Sequence, residues 1–365
     1  MSYLNALTLS HFRSHKVAKL NTDRRPVAIY GANGSGKTNI LEAISLFSPG
    51  RGLRRSSAEE MMRRPDNIGW KINGVLTSET GEYEVEIASN NGTPRQVKVD
   101  GKYKSQSTLG QLVRVLWLVP AMDRLWIEGS EGRRRFLDRI TLSFSPAHAE
   151  QSLKYEKAMR ERNRLLKDHV TDPFWYAALE TQMAQAGVAI KSARRNALEK
   201  IRSSQAGAIT VFPAADLTIM EAENDVPDDV ESYCAALENI RPRDMAAGRS
   251  LMGPHRSDLF GTYQTKSMAA KDCSTGEQKA LLISIILANA RALAFEGGEP
   301  PILLLDEVAA HLDQNRRAAL YEEICQLEVQ AWMTGTGPEL FADLEGKAQM
   351  LCVSETDGCS LVMQK

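Results

Sequence analysis

The chain has 365 residues, 43% hydrophobic and 25% charged, ordinary values for folded domains that exclude a mainly disordered protein. With 45 Lys+Arg against 46 Asp+Glu, the formal net charge of -1 excludes attraction to a polyanion by overall charge, though not by a local basic patch. Five cysteines without a CxxC pair argue against a disulfide scaffold or zinc ribbon and for reduced thiols in a cytoplasmic protein. None has a neighbouring base that would mark a nucleophile. The opening residues lack a leader's apolar core, the longest apolar runs fall short of about 18 residues, and neither a membrane span nor a membrane partner is expected.

In chain order, residues 2–9 and Val27 to Tyr30 read as strands, the second running straight into glycines. Asn39 to Phe47 reads as a helix, with Ile40, Leu41, Ile44 and Phe47 on its apolar face and Pro49-Gly50 as its stop. Between Trp70 and Val99, short alternating segments broken by Asn-Gly and Thr-Gly predict an antiparallel sheet. Val113 to Val119, closed by Pro120, is a buried strand. Residues 147–204 change character to long helical stretches, broken at Thr171-Asp-Pro173 and resuming from Trp175 to Ile201, which predicts two antiparallel helices forming an arm. A strand, a helix near 228–239 and a return fill 209–260. The last third alternates again: helix Thr275 to Phe295, strand Pro301 to Leu305, helix Asn315 to Leu327, strand Val329 to Met333, a short helix Pro338 to Leu344 and two terminal strands. The fold class is α/β, a core interrupted by a helical insertion and carrying an N-terminal antiparallel sheet.

Gly31-Ala-Asn33-Gly34-Ser-Gly36-Lys37-Thr38 fits Gly-x4-Gly-Lys-Ser/Thr in full, with a strand before and a helix after. Glycines let backbone amides turn inward around a phosphate, and the helix N-terminus adds free N–H groups. In this motif Lys37 contacts the β- and γ-phosphates of ATP and Thr38 ligates Mg2+. A chance glycine-rich turn is the alternative. The apolar run Pro301 to Leu305 ends in Asp306-Glu307. Asp306 at a strand end holds Mg2+ directly or through water, and Glu307 polarises the attacking water; a surface acid pair after a buried strand is the plain alternative. Ser274-Thr-Gly276-Glu-Gln278 opens an apolar helix. Ser274 with Glu277 makes a capping box; Ser274, Gly276 and the helix start also make a second anion-binding nest. One ATP does not need two nests from one chain, whereas a dimer with ATP sandwiched at its interface does.

These residues resemble the ABC-type ATPase head. Ser274 to Gln278 is similar to its signature motif, and Ala310-His311-Leu312-Asp313 to its D-loop. Within that superfamily the chain resembles the RecF family of bacterial SMC-like recombination mediators. The resemblance rests on Leu9-Ser-His-Phe12-Arg13-Ser, Arg133-Arg134-Arg135-Phe136-Leu137-Asp138, the stretch Tyr155 to Leu166, Gly253-Pro-His255-Arg256-Ser-Asp258 and Thr334-Gly335-Thr336, in order along nearly the whole chain. It implies a weak, DNA-stimulated ATPase that dimerises on ATP and binds duplex or gapped DNA. With RecR, and in functional connection with RecO, it would promote RecA loading in gap repair and fork maintenance, with a part in the SOS response and a nucleoid-associated, cytoplasmic location. It also implies three chain segments: residues 1–145 as the first part of the head, 146–240 as the helical arm, and 241–365 as the second part of the head. Gly31, Asn33, Gly34, Gly36, Lys37 and Thr38, with Ser274, Gly276 and Gln278, become the nucleotide-contacting set. Lys37, Asp306 and Glu307 become the catalytic set, and Thr38 and Asp306 the metal ligands.

Two departures stand out. No Gln follows Val119-Pro120, where the nearest polar residue is Asp123, and no switch His follows the penultimate core strand, where Thr334 or Thr336 stands instead. Both match slow hydrolysis.

Three groups of cations carry two readings each. Arg133, Arg134 and Arg135 diverge around a helix and divide between structural pairing and phosphate contact. Arg54, Arg55, Arg63 and Arg64 are either a solubilising loop or a DNA-phosphate surface. Lys154, Lys157, Arg160, Arg162, Arg164 and Lys167 are either a solvated helix face or a DNA contact, with Arg160 and Arg164 the arm candidates. Other function classes are disfavoured. A transporter ATPase lacks an arm, and a Rad50- or SMC-type rod needs far more than an insertion of roughly 60 residues.

Overall fold

The computed structural model describes residues 2–64, 66–90, 93–221, 226–295 and 300–364. It divides into two units, Met1–Asp123 with Ser204–Ala214 and Ser274–Lys365, and Arg124–Ser203 with Ala215–Cys273. The expected boundaries after residues 145 and 240 both fall inside the second unit. The reason is that Arg133 and Asp138 pair with Asp258 and Arg194, which draws residues 130–144 and the segment around Asp258 together.

The first unit holds two six-stranded sheets. One is antiparallel, with order β2-β1-β4-β5-β6-β7: β1 (Tyr3–Phe12), β2 (His15–Asn21), β4 (Trp70–Ser78), β5 (Gly81–Ser89), β6 (Gln96–Val99) and β7 (Lys102–Lys104). The other, in order β15-β14-β3-β13-β12-β8, comprises β3 (Val27–Tyr30), β8 (Val115–Leu118), β12 (Ile302–Leu305), β13 (Ala331–Gly335), β14 (Gln349–Thr356) and β15 (Cys359–Gln364). Five of its strands are parallel and β15 closes one edge antiparallel. Central parallel strands are covered on both faces, and all four residues of β3 and of β12 are buried.

The unit's helices are α1 (Lys37–Ser45), the single turn α2 (Leu109–Leu112), α7 (Thr275–Phe295) and α8 (Gln314–Gln326). Ile40, Leu41 and Ile44 of α1 join Leu4, Leu7 and Leu9 of β1 and Ile29 of β3 in one core, each burial contributing about 1.5–3 kcal/mol. Gln330 ties the sheets together with its whole amide: Nε2 donates to Leu4 O at 3.0 Å and Asp23 O at 2.6 Å, while Oε1 accepts from Leu4 N at 2.9 Å and Trp332 Nε1 at 3.1 Å. Against the expectation of no long apolar stretch, α7 is long and apolar enough by length and composition to cross a membrane. Its apolar window is 89% buried inside the protein, which makes it a core helix.

The second unit contains α3 (Ser130–Phe144), α4 (His148–Lys167), most of α5 (Pro173–Ala206), α6 (Val230–Ala247) and a three-stranded antiparallel sheet. That sheet consists of β9 (Ala215–Met220), β10 (Asp258–Tyr263) and β11 (Met268–Ala269). It is therefore more than the expected pair of arm helices. Tyr155 and Ala158 of α4, Met183 and Ile190 of α5, and Tyr233 and Leu237 of α6 share its core. Gly187 permits this approach, since a Cβ there would fall 2.6 Å from the Tyr233 ring. Arg162, counted in the sequence among solvent-facing cations, is fully buried. It donates to Glu180 Oε1 at 3.0 Å, Asp244 Oδ2 at 2.6 Å, Ser250 Oγ at 2.9 Å and Leu237 O at 3.1 Å.

Candidate functional site

The register of the parallel sheet sets three strand ends side by side. Gly335 of β13 is level with Tyr30 of β3, and Leu305 of β12 with Met333 of β13. Three segments converge there as a result: Gly31 to Thr38 leaving β3, Asp306-Glu307 leaving β12, and Thr334 at the end of β13. Carboxyl ends of adjacent parallel strands are where open α/β sheets bind ligands.

The glycine loop takes conformations that its glycines allow. Gly34 and Gly36 have φ of 84° and 102°, in the left-handed region. A Cβ on Gly36 would lie 2.2 Å from Ser360 Oγ and 2.7 Å from Ser14 Oγ. Those two hydroxyls brace the loop from outside. Ser360 Oγ is 2.6 Å from Ser35 O and 2.6 Å from Ser14 Oγ, and Asn39 Nδ2 donates to Ser14 Oγ at 2.7 Å. His15 Nε2 lies 3.1 Å from Gly36 O, and burial pushes the imidazole below its ordinary pKa. Asn33 and Gly34 are exposed at the loop tip.

Lys37 folds back over the loop, with Nζ donating to Gly31 O and Ala32 O at 2.8 Å each. Burial lowers its pKa against the opposing charges of Glu307 and Asp306. Thr38 Oγ1 donates toward the Asp306 carboxylate at 3.0 and 3.2 Å, and Thr334 Oγ1 donates to Asp306 Oδ1 at 2.7 Å. The same Thr334 hydroxyl accepts the N–H of Glu307 at 2.9 Å, where the Glu307 backbone has φ of 53°. A non-glycine residue held in this conformation marks a position fixed by its surroundings. The sequence alone leaves Thr334 and Thr336 equivalent; Thr334 is the one at the carboxylates, while Thr336 is exposed. Ser14 ends the Leu9–Ser14 stretch that carries the family resemblance but is given no role there, and His15 and Ser360 are not singled out by sequence, because isolated polar residues in strands carry no motif.

At the start of α7, Ser274 N donates to Glu277 Oε2 at 2.8 Å and Glu277 N donates to Ser274 Oγ at 3.4 Å, the capping-box reading in full. Ser274 and Gly276 are exposed, and a Cβ on Gly276 would meet nothing within 4 Å. Gln278, placed with them in sequence, is buried at 1% exposure and directed into the chain's own interior. The next residue, Lys279, pairs with Asp123 at 3.3 Å. The side chain of His311, in the expected D-loop, lies outside the described residues.

The cation groups separate by burial. Arg133 forks Asp258 at 2.8 Å through Nε and Nη2, and Arg134 donates to Ser130 Oγ and Ser257 O; both are structural. Arg135 pairs with Glu131 on the surface. Arg63 is a correction to the proposed DNA surface, since it is 7% exposed and bound to Asp66 at 2.9 Å. Arg54 is exposed but donates to Asn39 Oδ1 and Glu42 Oε2. Arg55, Arg64, Arg160 and Arg164 are exposed.

Residues 3–357 match the profile described as the RecF/RecN/SMC N terminal domain. The chain is 44% identical over 364 residues to the DNA replication and repair protein RecF of Mesorhizobium japonicum, covering 96% of both chains. A solved structure of the recombination mediator RecF with ATP, in the RecFOR pathway, superposes with a TM-score of 0.85 at 25% identity over 100% of this chain and 98% of the other. An Smc head domain from Pyrococcus furiosus shares the fold at a TM-score of 0.59, 18% identity and coverage of 100% and 96%. The α/β head with its helical insertion and N-terminal sheet, together with these matches over almost the entire length, places the chain in the RecF family.

Proposed function

We propose that the chain is an ATP-gated, DNA-binding recombination mediator with slow ATPase activity. The observation that supports it best is the hydroxyl–carboxylate chain Thr38–Asp306–Thr334–Glu307 at neighbouring strand ends, beside a lysine folded over a glycine loop. In this reading Lys37 exchanges its two carbonyl partners for the β- and γ-phosphates, and the N–H groups of the Gly31–Thr38 loop cradle them. Thr38 Oγ1 and the Asp306 carboxylate are hard oxygen donors that would hold Mg2+. The bound ion would neutralise charge on the phosphate oxygens. Glu307, with its backbone fixed by Thr334, accepts the proton of the attacking water. Ser274 and Gly276 offer an exposed helix start to the nucleotide of a second copy, so ATP favours a symmetric dimer by mass action. The dimer holds duplex or gapped DNA through backbone contacts, and works with RecR and RecO in loading RecA in the cytoplasm.

The test is sedimentation and turnover of Glu307→Gln with ATP-Mg and gapped duplex. The expected result is retained ATP binding, a persistent dimer and turnover reduced by about 100-fold or more. Hydrolysis at the parental rate rejects Glu307 as the water-activating group.

A further inference from the structure

Arg63 is buried beneath the turn between β14 and β15. Its backbone N–H donates to His11 O at 2.9 Å. Its Nη1 donates to Asp66 Oδ2 at 2.9 Å, and its Nη2 lies 2.8 Å from Cys359 Sγ and 3.4 Å from Gly358 O. Its Nε is buried and has no partner among the described residues. Nε and Nη2 share one edge of the planar guanidinium, the edge that takes an anion with two parallel hydrogen bonds. Here Nη2 is shared by the Cys359 sulfur and the Gly358 carbonyl, while Nε meets no partner among the described residues. A buried, unfilled donor is costly, and an oxygen added to the sulfur is the group that would fill it.

Cys359 itself is half-buried. Cys234 and Cys273 instead direct their sulfurs at the carbonyls of Glu180 and Ala269. The residue after Cys359 is Ser360, which braces the glycine loop at Ser35 O and whose main-chain N–H is fixed on Ser14 O at 3.0 Å.

We propose that Cys359 is an oxidation site for hydroperoxides, that its oxidised sulfur is held by the half-filled edge of Arg63, and that oxidation loosens the Gly31–Thr38 loop through Ser360. The first two parts stand on the cysteine–arginine geometry alone; the third rests on the nucleotide reading of the loop. In the chemical step, Sγ attacks one oxygen of hydrogen peroxide. The S–O bond forms as the O–O bond breaks, and the departing hydroxide takes the thiol proton and leaves as water. The sulfur is oxidised by two electrons to sulfenic acid and the peroxide is reduced. Bringing the added oxygen onto Arg63 Nε turns the Cys359 side chain, and β15 carries that displacement one residue along to Ser360.

The test treats the whole protein with hydrogen peroxide, traps sulfenic acid with dimedone and locates it by peptide mass spectrometry. Cys359 is expected to label about tenfold faster than Cys325 and Cys352. Arg63→Lys, which keeps the charge but not the fork, should label more slowly at Cys359 while melting as a folded protein. Equal labelling of Cys359 and the other two in the unmutated protein overturns the site whatever the variant does. ATP titration before and after oxidation then tests the coupling. The expected result is affinity weakened about tenfold in the parent and unchanged in Cys359→Ser; equal loss in both, or none in the parent, overturns the coupling. A reduced parent that binds no ATP counts against the nucleotide reading instead, and the labelling result stands independently of it.

Discussion

Thr334 Oγ1 donates to Asp306 at 2.7 Å and in the same position accepts the N–H of Glu307 at 2.9 Å. One hydroxyl at the end of β13 thus sets the orientation of two consecutive residues at the end of β12. Thr334→Val keeps shape and removes both bonds. About 1–2 kcal/mol of positioning is lost, so turnover should drop roughly tenfold with ATP affinity nearly kept, and Thr334→Ser should restore it. A Val variant with parental turnover in a single-turnover assay rejects this role.

Ser274→Arg adds bulk and charge at an exposed helix start without touching the glycine loop. ATP should bind the monomer as before, and the ATP-dependent dimer should be lost. Sedimentation with saturating ATP-Mg checks this; a normal dimer counts against the two-nest sandwich.

Arg162→Met removes the cation from the buried Asp244 carboxylate, while Glu180 keeps Arg241 as its partner at 2.7 Å. Removing one partner of a buried ionic network costs about 3–5 kcal/mol, enough to unfold the second unit at moderate urea. Circular dichroism of the urea transition reads this directly. A midpoint within error of the parent contradicts it.

His255 sits between Tyr155 OH, 2.8 Å from Nδ1, and Ser250 O, 3.1 Å from Nε2. Burial, reinforced by the charges of Arg256, Arg134 and Arg194 and opposed by the Ser250 carbonyl, pushes its pKa down to about 4. The unfolded chain takes up this proton near the ordinary value of 6.5, while the folded chain refuses it until about 4. The unfolded state therefore binds more protons in that window, and stability falls as pH drops through it, by about 3 kcal/mol in total. Melting temperatures from pH 7 to 4 should decline less steeply for His255→Gln. Parallel curves for parent and variant refute the assignment.

With Arg63 withdrawn from the DNA surface, Arg55 and Arg64 on the first unit and Arg160 and Arg164 on the second remain. Changing Arg55 and Arg64 together to Ala should reduce the slope of log affinity against log salt by about two. Fluorescence anisotropy with duplex DNA of unrelated sequences measures it; an unchanged slope moves the contact to Arg160 and Arg164.

The readable parts of this chain are those whose chemistry is local. Gly31 to Thr38 and Asp306-Glu307 declare themselves because a phosphate cradle and a strand-end carboxylate need adjacent residues of fixed type. Arg162 looks like a surface cation in the sequence because Asp244 arrives from 82 positions on; Arg63 pairs locally with Asp66 but is buried by a segment around Cys359, 296 positions on. The strand β2 escapes a sequence reading since its residues HKVAKLN alternate poorly in polarity, although His15, Ala18 and Leu20 are buried. Thr334 cannot be told from Thr336 until the level of β13 against β3 is known.

The brace on the glycine loop has a consequence for the order in which the polypeptide matures. Ser35 waits for Ser360, 325 residues later, and Leu4 waits for Gln330, 326 residues later. At about 5–20 residues per second a ribosome needs on the order of twenty seconds or more to close those gaps. The six strands β1, β2 and β4–β7 are complete long before then, and the second unit is finished by Cys273. The parallel sheet, by contrast, owns only β3 and β8 until β12 to β15 emerge. The strands that complete the parallel sheet, and with them Asp306, Thr334 and Ser360 beside the glycine loop, are therefore the last to be made.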